Sequence, residues 1–159
     1  QLVALTAMEP PVQFNADLFR NEVVKVYQSF RPMSDEEIRR RVIRGQYTES
    51  EWKGEHHRAY REEDKIPHDS RTETFLAMKL YIDNWRWQGV PFYIRTGKMM
   101  PTKVTEIVVH FKPTPHKMFT TLDGGTVPNQ LIIRIQPDEG ISLKFAAKVP
   151  GSGFEVKKV

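Results

Sequence analysis

The chain has no cysteine among its 159 residues. That excludes a disulfide framework, a cysteine nucleophile and any cysteine-ligated zinc or iron–sulfur centre. No apolar run approaches the ~20 residues that a membrane-crossing helix needs, so no such helix is expected. The start, Gln1-Leu-Val-Ala-Leu5, carries no basic-then-apolar signal segment. No glycine-rich loop opens a helix after a strand, so no dinucleotide-binding fingerprint is present. An excess of one charge is also nearly missing. The 24 Lys+Arg and 20 Asp+Glu leave a net +4, which suits an anionic small ligand or a nucleic acid and chooses between neither.

What is there is enough for a folded domain. The hydrophobic share of 39% and the aromatic share of 11% are too high for a disordered chain. The length suits one domain with its own core. A cysteine-free composition is compatible with the cytoplasm, which is the expected location. The chain opens on Gln1 and closes on the strand-like Phe154-Glu-Val-Lys-Lys-Val159, so a fragment of a larger protein is expected.

Helix signals come first. Residues 1–9 read as the last turns of a helix stopped by Pro10-Pro11. Asn15 is a good N-cap, Asp17 suits the first turn, and Phe19, Val23, Val26, Tyr27 and Phe30 form a helical stripe ending before Pro32. Ser34-Asp-Glu-Glu37 predicts a capping box and a short helix into Arg39-Arg-Arg41. Residues 46–72 are polar and charged and read as a long surface loop.

The second half alternates with period two, as half-buried strands do. Strands are expected around Leu76–Ile82, Phe92–Arg95, Thr105–Lys112, Leu131–Gln136 and Ile141–Lys148. Turn residues separate them, including Gly89, Gly97, Asp123-Gly-Gly125 and Pro137-Asp-Glu-Gly140. Helices followed by a β meander predict an α+β fold with a mostly antiparallel sheet and helices packed on one side.

Few residues suggest chemistry. Arg95-Thr-Gly-Lys98 leaves a strand, with Lys103 five residues on. Two mobile ammonium groups suit a phosphate or sugar hydroxyls, though by sequence chemistry alone a solvated turn is the favoured reading. This is no Walker motif, because Phe92 and Met99 replace the required glycine and hydroxyl residue. Arg134, Gln136 and Lys144 are expected on one polar sheet face, suited to an anion, a partner subunit or plain solvent. His56, His57 and His68 match no metal-ligand spacing, so no metal is expected. Trp85 and Trp87, with Tyr81 and Tyr93, read as a core corner with an amphipathic edge, or else as a stacking platform for bases.

The run Thr74-Phe-Leu-Ala-Met-Lys-Leu-Tyr-Ile-Asp-Asn-Trp-Arg-Trp-Gln-Gly-Val-Pro-Phe-Tyr-Ile-Arg-Thr-Gly-Lys98 resembles the glucose-6-phosphate dehydrogenase family. So do Ala7-Met-Glu-Pro10, Arg44-Gly-Gln-Tyr47 and Asn129-Gln-Leu-Ile-Ile-Arg-Ile-Gln-Pro-Asp-Glu139, in the family's order and at about its spacing. The resemblance implies an NADP-linked oxidation of glucose 6-phosphate to 6-phosphogluconolactone, the first step of the pentose phosphate pathway. It places residues 1–159 in the C-terminal α+β domain, which serves substrate binding and oligomerisation, with the NADP-binding N-terminal domain absent from this chain.

By the same resemblance, Lys98 corresponds to a lysine that contacts the sugar phosphate, Lys103 to a second basic substrate position, and Gln136 to a substrate-side glutamine. Arg134 and Lys144 correspond to positions that hold a second, structural NADP in some members. Val104 and Ser142 replace the basic and aromatic partners of that site, which argues against it here. No catalytic residue is expected in this chain, since the family's Arg-Ile-Asp-His-Tyr-Leu-Gly-Lys-Glu motif and its general-base histidine are not in it. The fragment alone is therefore expected to be inactive. The expected partners are glucose 6-phosphate and further copies of the chain, as a dimer or tetramer through the sheet, with no nucleic acid and no membrane. The competing readings are a non-enzymatic polyanion- or RNA-binding module and a homologue that keeps only the fold.

Overall fold

Asn15, Ser34 and the period-two strands set most of the local structure in the computed structural model of the chain. It describes residues 1–113, 128–148 and 150–151 together with the backbone of 156–158. The turn Asp123-Gly-Gly125, the Ser152-Gly153 pair and the end residues Phe154 and Val159 lie outside the described residues. The architecture is α+β, in two compact units, Gln1–Met100 and Pro101–Val159.

In the first unit α1 spans Leu2–Ala7, α2 Ala16–Gln28 and α3 Asp35–Arg41. The Asn15 side chain accepts from the Leu18 N–H at 2.9 Å and so satisfies one of the donors that every helix start leaves unpaired. Ser34 and Glu37 form the expected reciprocal capping box. Helix α2 ends earlier than Pro32 predicts, because Ser29 to Arg31 pair with another segment instead. The Arg31 N–H donates to the Tyr81 carbonyl (3.0 Å), the Asp83 N–H donates to the Ser29 carbonyl (2.7 Å), and Phe30 bridges Ile82. The Arg31 guanidinium then clasps both Asp83 oxygens, at 2.9 and 2.6 Å.

The sheet of this unit has the order β1-β4-β5, all antiparallel, with β1 Val42–Gly45, β4 Phe75–Tyr81 and β5 Pro91–Gly97. Met78 faces Ile94 and Leu80 faces Phe92 across the ladder. These side chains and Ile82 meet Ala4, Ala7 and Val26 of α1 and α2 in the core, so the helices cover one side of this sheet as expected. The two tryptophans part company. Trp87 stacks edge-on against Phe92 (5.1 Å) and its indole N–H donates to the Ala7 carbonyl at 2.9 Å. Trp85 is fully exposed and Tyr93 largely so, which narrows the expected core corner to Trp87.

Between β1 and β4 the expected long loop carries more structure than its composition predicts. β2 Ser50–Trp52 and β3 Glu55–His57 form a hairpin, followed by a 3-10 turn at Tyr60–Glu62. Lys53 and Gly54 both take positive φ (54° and 80°), as a two-residue hairpin turn requires. These strands have three residues each and no buried face, so the period-two signal is absent.

In the second unit β6 Thr105–His110, β7 Gln130–Gln136 and β8 Gly140–Lys144 form an antiparallel sheet in sequence order. The expected strand 141–148 divides after Lys144. That residue lies opposite Gln130, where β7 begins, so β8 runs out of partner there. The chain continues as β9 Ala146–Lys148, which pairs with β10 Val156–Lys158. One face of this three-stranded sheet is wholly apolar: Ile107, Val109, Leu131, Ile133, Ile141 and Leu143 alternate onto it. Within this unit Ile141 is 75% and Leu143 54% exposed.

Three ion-paired or capped carboxyls contribute to the response to acid. Hydrogen bonds from Arg86 and Arg31 hold the Glu9 and Asp83 carboxyls below their ordinary range, and the Ser34 backbone N–H does the same for Glu37. A carboxyl pKa lowered by folding adds stability above the unfolded value, lost as pH falls through the folded one. The melting temperature is therefore expected to be insensitive to these groups near neutrality and to fall below about pH 4. Asp83→Asn should flatten part of that fall in a melting series against pH. An unchanged acid slope would remove Asp83 from the explanation. All three sites are open to solvent, so the effect is small.

Candidate functional site

One end of the β1-β4-β5 sheet gathers the residues best suited to binding. Thr74 stands just before β4 and is tied three ways. Its N–H donates to the Gly45 carbonyl (2.9 Å), its hydroxyl accepts from the Tyr47 N–H (3.0 Å), and its carbonyl accepts from the Lys98 N–H (2.8 Å). Lys98 thus leaves β5 with its backbone fixed and its side chain exposed.

Glycine leaves room at position 97 for the side chains of Met100 and Phe75. A Cβ there would stand 2.9 Å from Met100 Sδ and 3.1 Å from Phe75 Cδ2. Met99 follows with φ 51°, which turns the chain away and leaves Lys98 at the sheet end. An open groove of about 300 Å³ runs beside it, lined by Glu73, Thr74, Phe75, Leu76, Thr96, Gly97 and Lys98. Glu73 lies 3.8 Å from Arg44, which partly neutralises the carboxylate. The groove therefore offers a mobile cation, a threonine hydroxyl and backbone groups, a set suited to a phosphate or to sugar hydroxyls.

Behind the groove Tyr47 packs edge-on against Tyr60 at 5.7 Å, and its hydroxyl donates to Glu63. Burial, with Glu63 nearby, pushes the Tyr47 phenol above its ordinary pKa, so it stays a neutral donor. A second group of cations surrounds the Tyr81 ring: Arg31 at 5.0 Å, Arg41 at 5.3 Å and Lys79 at 5.4 Å. Arg31 is paired with Asp83 and Arg41 with Glu37, while hydrogen bonds with the Tyr81 and Tyr93 hydroxyls raise the Lys79 pKa.

The second unit holds the other expected positions. Lys103 is exposed in the stretch that enters β6 at Thr105, and Thr105 pairs with Gln136, its hydroxyl 3.5 Å from Gln136 Oε1. Lys103 and Gln136 thus belong to the same end of the β6-β7 pair. Arg134 and Lys144 do share a face, as alternation predicts, since Lys144 is directly opposite Gln130. They are four residues apart along that face, about 13 Å at the strand rise, and Arg134 lies opposite Glu106. Ser142 lies between them on that face, and no aromatic side chain stands there.

The histidines do not converge. His56 Nε2 is 2.7 Å from Glu49 Oε1 on the exposed hairpin, and no group of three His, Asp or Glu is placed to share a metal among the described residues. Gln46 and Thr74 carry the sheet-end geometry; both lie in the motifs that carry the family resemblance, Arg44-Gly-Gln-Tyr47 and the run from Thr74 to Lys98, but sequence reasoning gave neither a role. A half-buried glutamine beside a strand leaves no periodic signal.

The family described as glucose-6-phosphate dehydrogenase, C-terminal domain, matches residues 1–159. A glucose-6-phosphate 1-dehydrogenase of Aggregatibacter actinomycetemcomitans is 52% identical over 159 residues, covering 100% of this chain and 32% of that protein. One from Bacillus subtilis is 48% identical, with 100% and 32% covered. The crystal structure of glucose-6-phosphate 1-dehydrogenase from Mycobacterium avium is similar with a TM-score of 0.79 at 36% identity, covering 100% of this chain and 31% of that one. A glucose-6-phosphate dehydrogenase solved in complex with its substrate glucose-6-phosphate gives a TM-score of 0.81 at 35% identity, covering 99% and 31%. The chain spans about a third of the length of the curated relatives it matches.

Proposed function

Since the chain belongs to the glucose-6-phosphate dehydrogenase C-terminal domain family, we propose that it is the substrate-side and oligomerisation part of a dehydrogenase. The full protein oxidises glucose 6-phosphate to 6-phosphogluconolactone with NADP, the entry reaction of the pentose phosphate pathway. The observation that carries this reading is the match over the whole chain, which includes a relative solved with glucose-6-phosphate.

The roles of this chain's residues are those that the family resemblance implies, and their chemistry is compatible with them. Lys98, at the sheet end of the first unit, holds the phosphate of the sugar as a point charge, and Lys103, in the second unit, corresponds to the family's second basic substrate position. Gln136 offers an amide to the sugar hydroxyls. The Thr74 carbonyl keeps the Lys98 backbone in place. No residue of this chain is assigned the proton transfer, and no coenzyme is placed on the Arg134 and Lys144 face. The coenzyme-binding domain belongs to the remaining two-thirds of the protein, in keeping with the share of the relatives that the chain covers. The full protein works in the cytoplasm, in keeping with its cysteine-free sequence here. It assembles as a homodimer or tetramer through the sheet, a reading supported by the apolar face with Ile141 and Leu143 exposed.

The test compares residues 1–159 with the full-length protein in NADP reduction on glucose 6-phosphate. An active parent and a silent fragment are expected, because binding without a base or a hydride acceptor gives no turnover. A silent parent would overturn the reading.

A further inference from the structure

We propose that Gln46 is a positioning residue for Lys98, acting through the segment that ends in Thr74. The inference rests on the sugar-phosphate reading of Lys98 and adds to it the device that holds this lysine in register.

Gln46 follows β1 and is half-buried. Its amide nitrogen donates to two carbonyls, Ser70 at 2.9 Å and Thr72 at 2.8 Å. Its amide oxygen accepts from Arg61 Nε at 2.9 Å. Two carbonyls on one side and a guanidinium on the other dictate which way the amide points, since only the nitrogen can serve the carbonyls.

The neighbours of Gln46 grip the end of the same segment. Gly45 accepts from the Thr74 N–H, and the Tyr47 N–H donates to the Thr74 hydroxyl. Three consecutive residues, 45 to 47, therefore hold residues 70, 72 and 74. Thr74 passes that hold on, because its carbonyl is the partner of the Lys98 N–H at 2.8 Å. The segment follows a long connection from β3, and Gln46 is the side chain that bonds two of its carbonyls just ahead of Thr74, beside the Arg44–Glu73 pair and the backbone bond from Ser70 to Pro67.

Glutamine alone combines two donors, an acceptor and this reach. Glutamate keeps the acceptor for Arg61 but turns an oxygen toward two carbonyls. The substitution Gln46→Glu thus breaks the hold on 70–72 and spares the contact with Arg61.

The experiment uses the full-length enzyme with Gln46→Glu, Thr74→Val and Thr74→Ser. Thr74→Val is nearly isosteric and removes only the hydroxyl that accepts from Tyr47, and Thr74→Ser restores it. For Gln46→Glu and Thr74→Val, KM for glucose 6-phosphate is expected to rise on the order of tenfold, with kcat changed far less. Amide hydrogen exchange at Lys98 should quicken by a similar factor. Thr74→Ser should return both to wild-type values. Faster exchange at 70–74 with Lys98 exchange and KM unchanged would overturn the inference and leave Gln46 as a loop clip. Lys98→Ala, run in parallel, separates the two readings. If it leaves KM unchanged, the phosphate role of Lys98 fails, and exchange at Lys98 alone then decides the role of Gln46.

Discussion

Lys98→Ala in the full-length enzyme is expected to lower kcat/KM for glucose 6-phosphate by on the order of ten- to a hundred-fold, the usual worth of a hydrogen bond to a charged group. The loss should appear mainly in KM, because the phosphate does not react and is held alike in the ground and transition states. The fold should be untouched. The Lys98 side chain is exposed, and its tie to the sheet is a backbone bond, Lys98 N–H to Thr74 carbonyl, which alanine keeps.

Ionic strength gives a second readout. Wild-type KM for the sugar phosphate should rise with salt, since an exposed cation attracting a dianion is screened. The Lys98→Ala variant should show a shallower rise, and its KM for the coenzyme should stay at the wild-type value. Lys103→Ala should act in the same direction. If neither substitution changes kcat/KM for glucose 6-phosphate, both lysines are surface residues and the site assignment falls.

The largest stability effect is expected at Ile82, the one large side chain that is fully buried among the described residues. It pairs with Phe30 across a bridge and sits in the core with Ala4, Ala7, Val26 and Leu80. Two of those partners are alanines, too small to move into a vacated space. Ile82→Ala should therefore cost about 2–5 kcal/mol, from lost transfer energy plus a cavity that cannot close, and Ile82→Val about 0.5–1.5 kcal/mol. Denaturant unfolding of the full-length protein measures both, with Trp87 fluorescence as a local probe, because its indole is bonded to Ala7 of the same core. Unfolding of Ile82→Ala at the wild-type midpoint would mean that this core contributes little to the stability of the whole protein. The two substitutions are complementary: Lys98→Ala alters binding and spares the fold, and Ile82→Ala does the reverse.

The parts legible from sequence were those whose partners lie a few residues away. Asn15 bonds Leu18 and Ser34 bonds Glu37, so both caps were visible in short windows. The strand at Thr105–His110 showed itself by alternation, because burial on one face imposes period two and its residues alternate half-buried and exposed. The hairpin at Ser50–His57 did not, because an exposed ribbon has no buried face to record and Lys53 stands where its turn more often has Asn or Asp. The division of β8 from β9 was likewise hidden. It is set by where β7 begins, and residues 141–148 alternate straight through the break.

The candidate site divides in the same way. Arg95-Thr-Gly-Lys98 was visible as a basic turn leaving a strand, and its likeness to one family directed attention to Lys98. Gln46 stood in the motif Arg44-Gly-Gln-Tyr47, but nothing local showed its role, since its amide meets carbonyls 24 and 26 residues away. Composition could not tell Trp85 from Trp87 either. A single residue separates them, yet one lies in solvent and the other bonds Ala7, 80 positions distant.

The sequence by itself determined the family, the α+β class, the caps and which strands would be half-buried, because each of these is written in composition, in neighbouring side chains or in a repeating period. The tertiary structure decided which strands pair, where α2 ends, which tryptophan is buried and how Lys98 is held. Those outcomes rest on contacts between distant segments, such as Arg31 with Asp83 at a separation of 52 residues and Gln46 with Ser70. Many segments compete for such contacts, and only the folded chain selects among them.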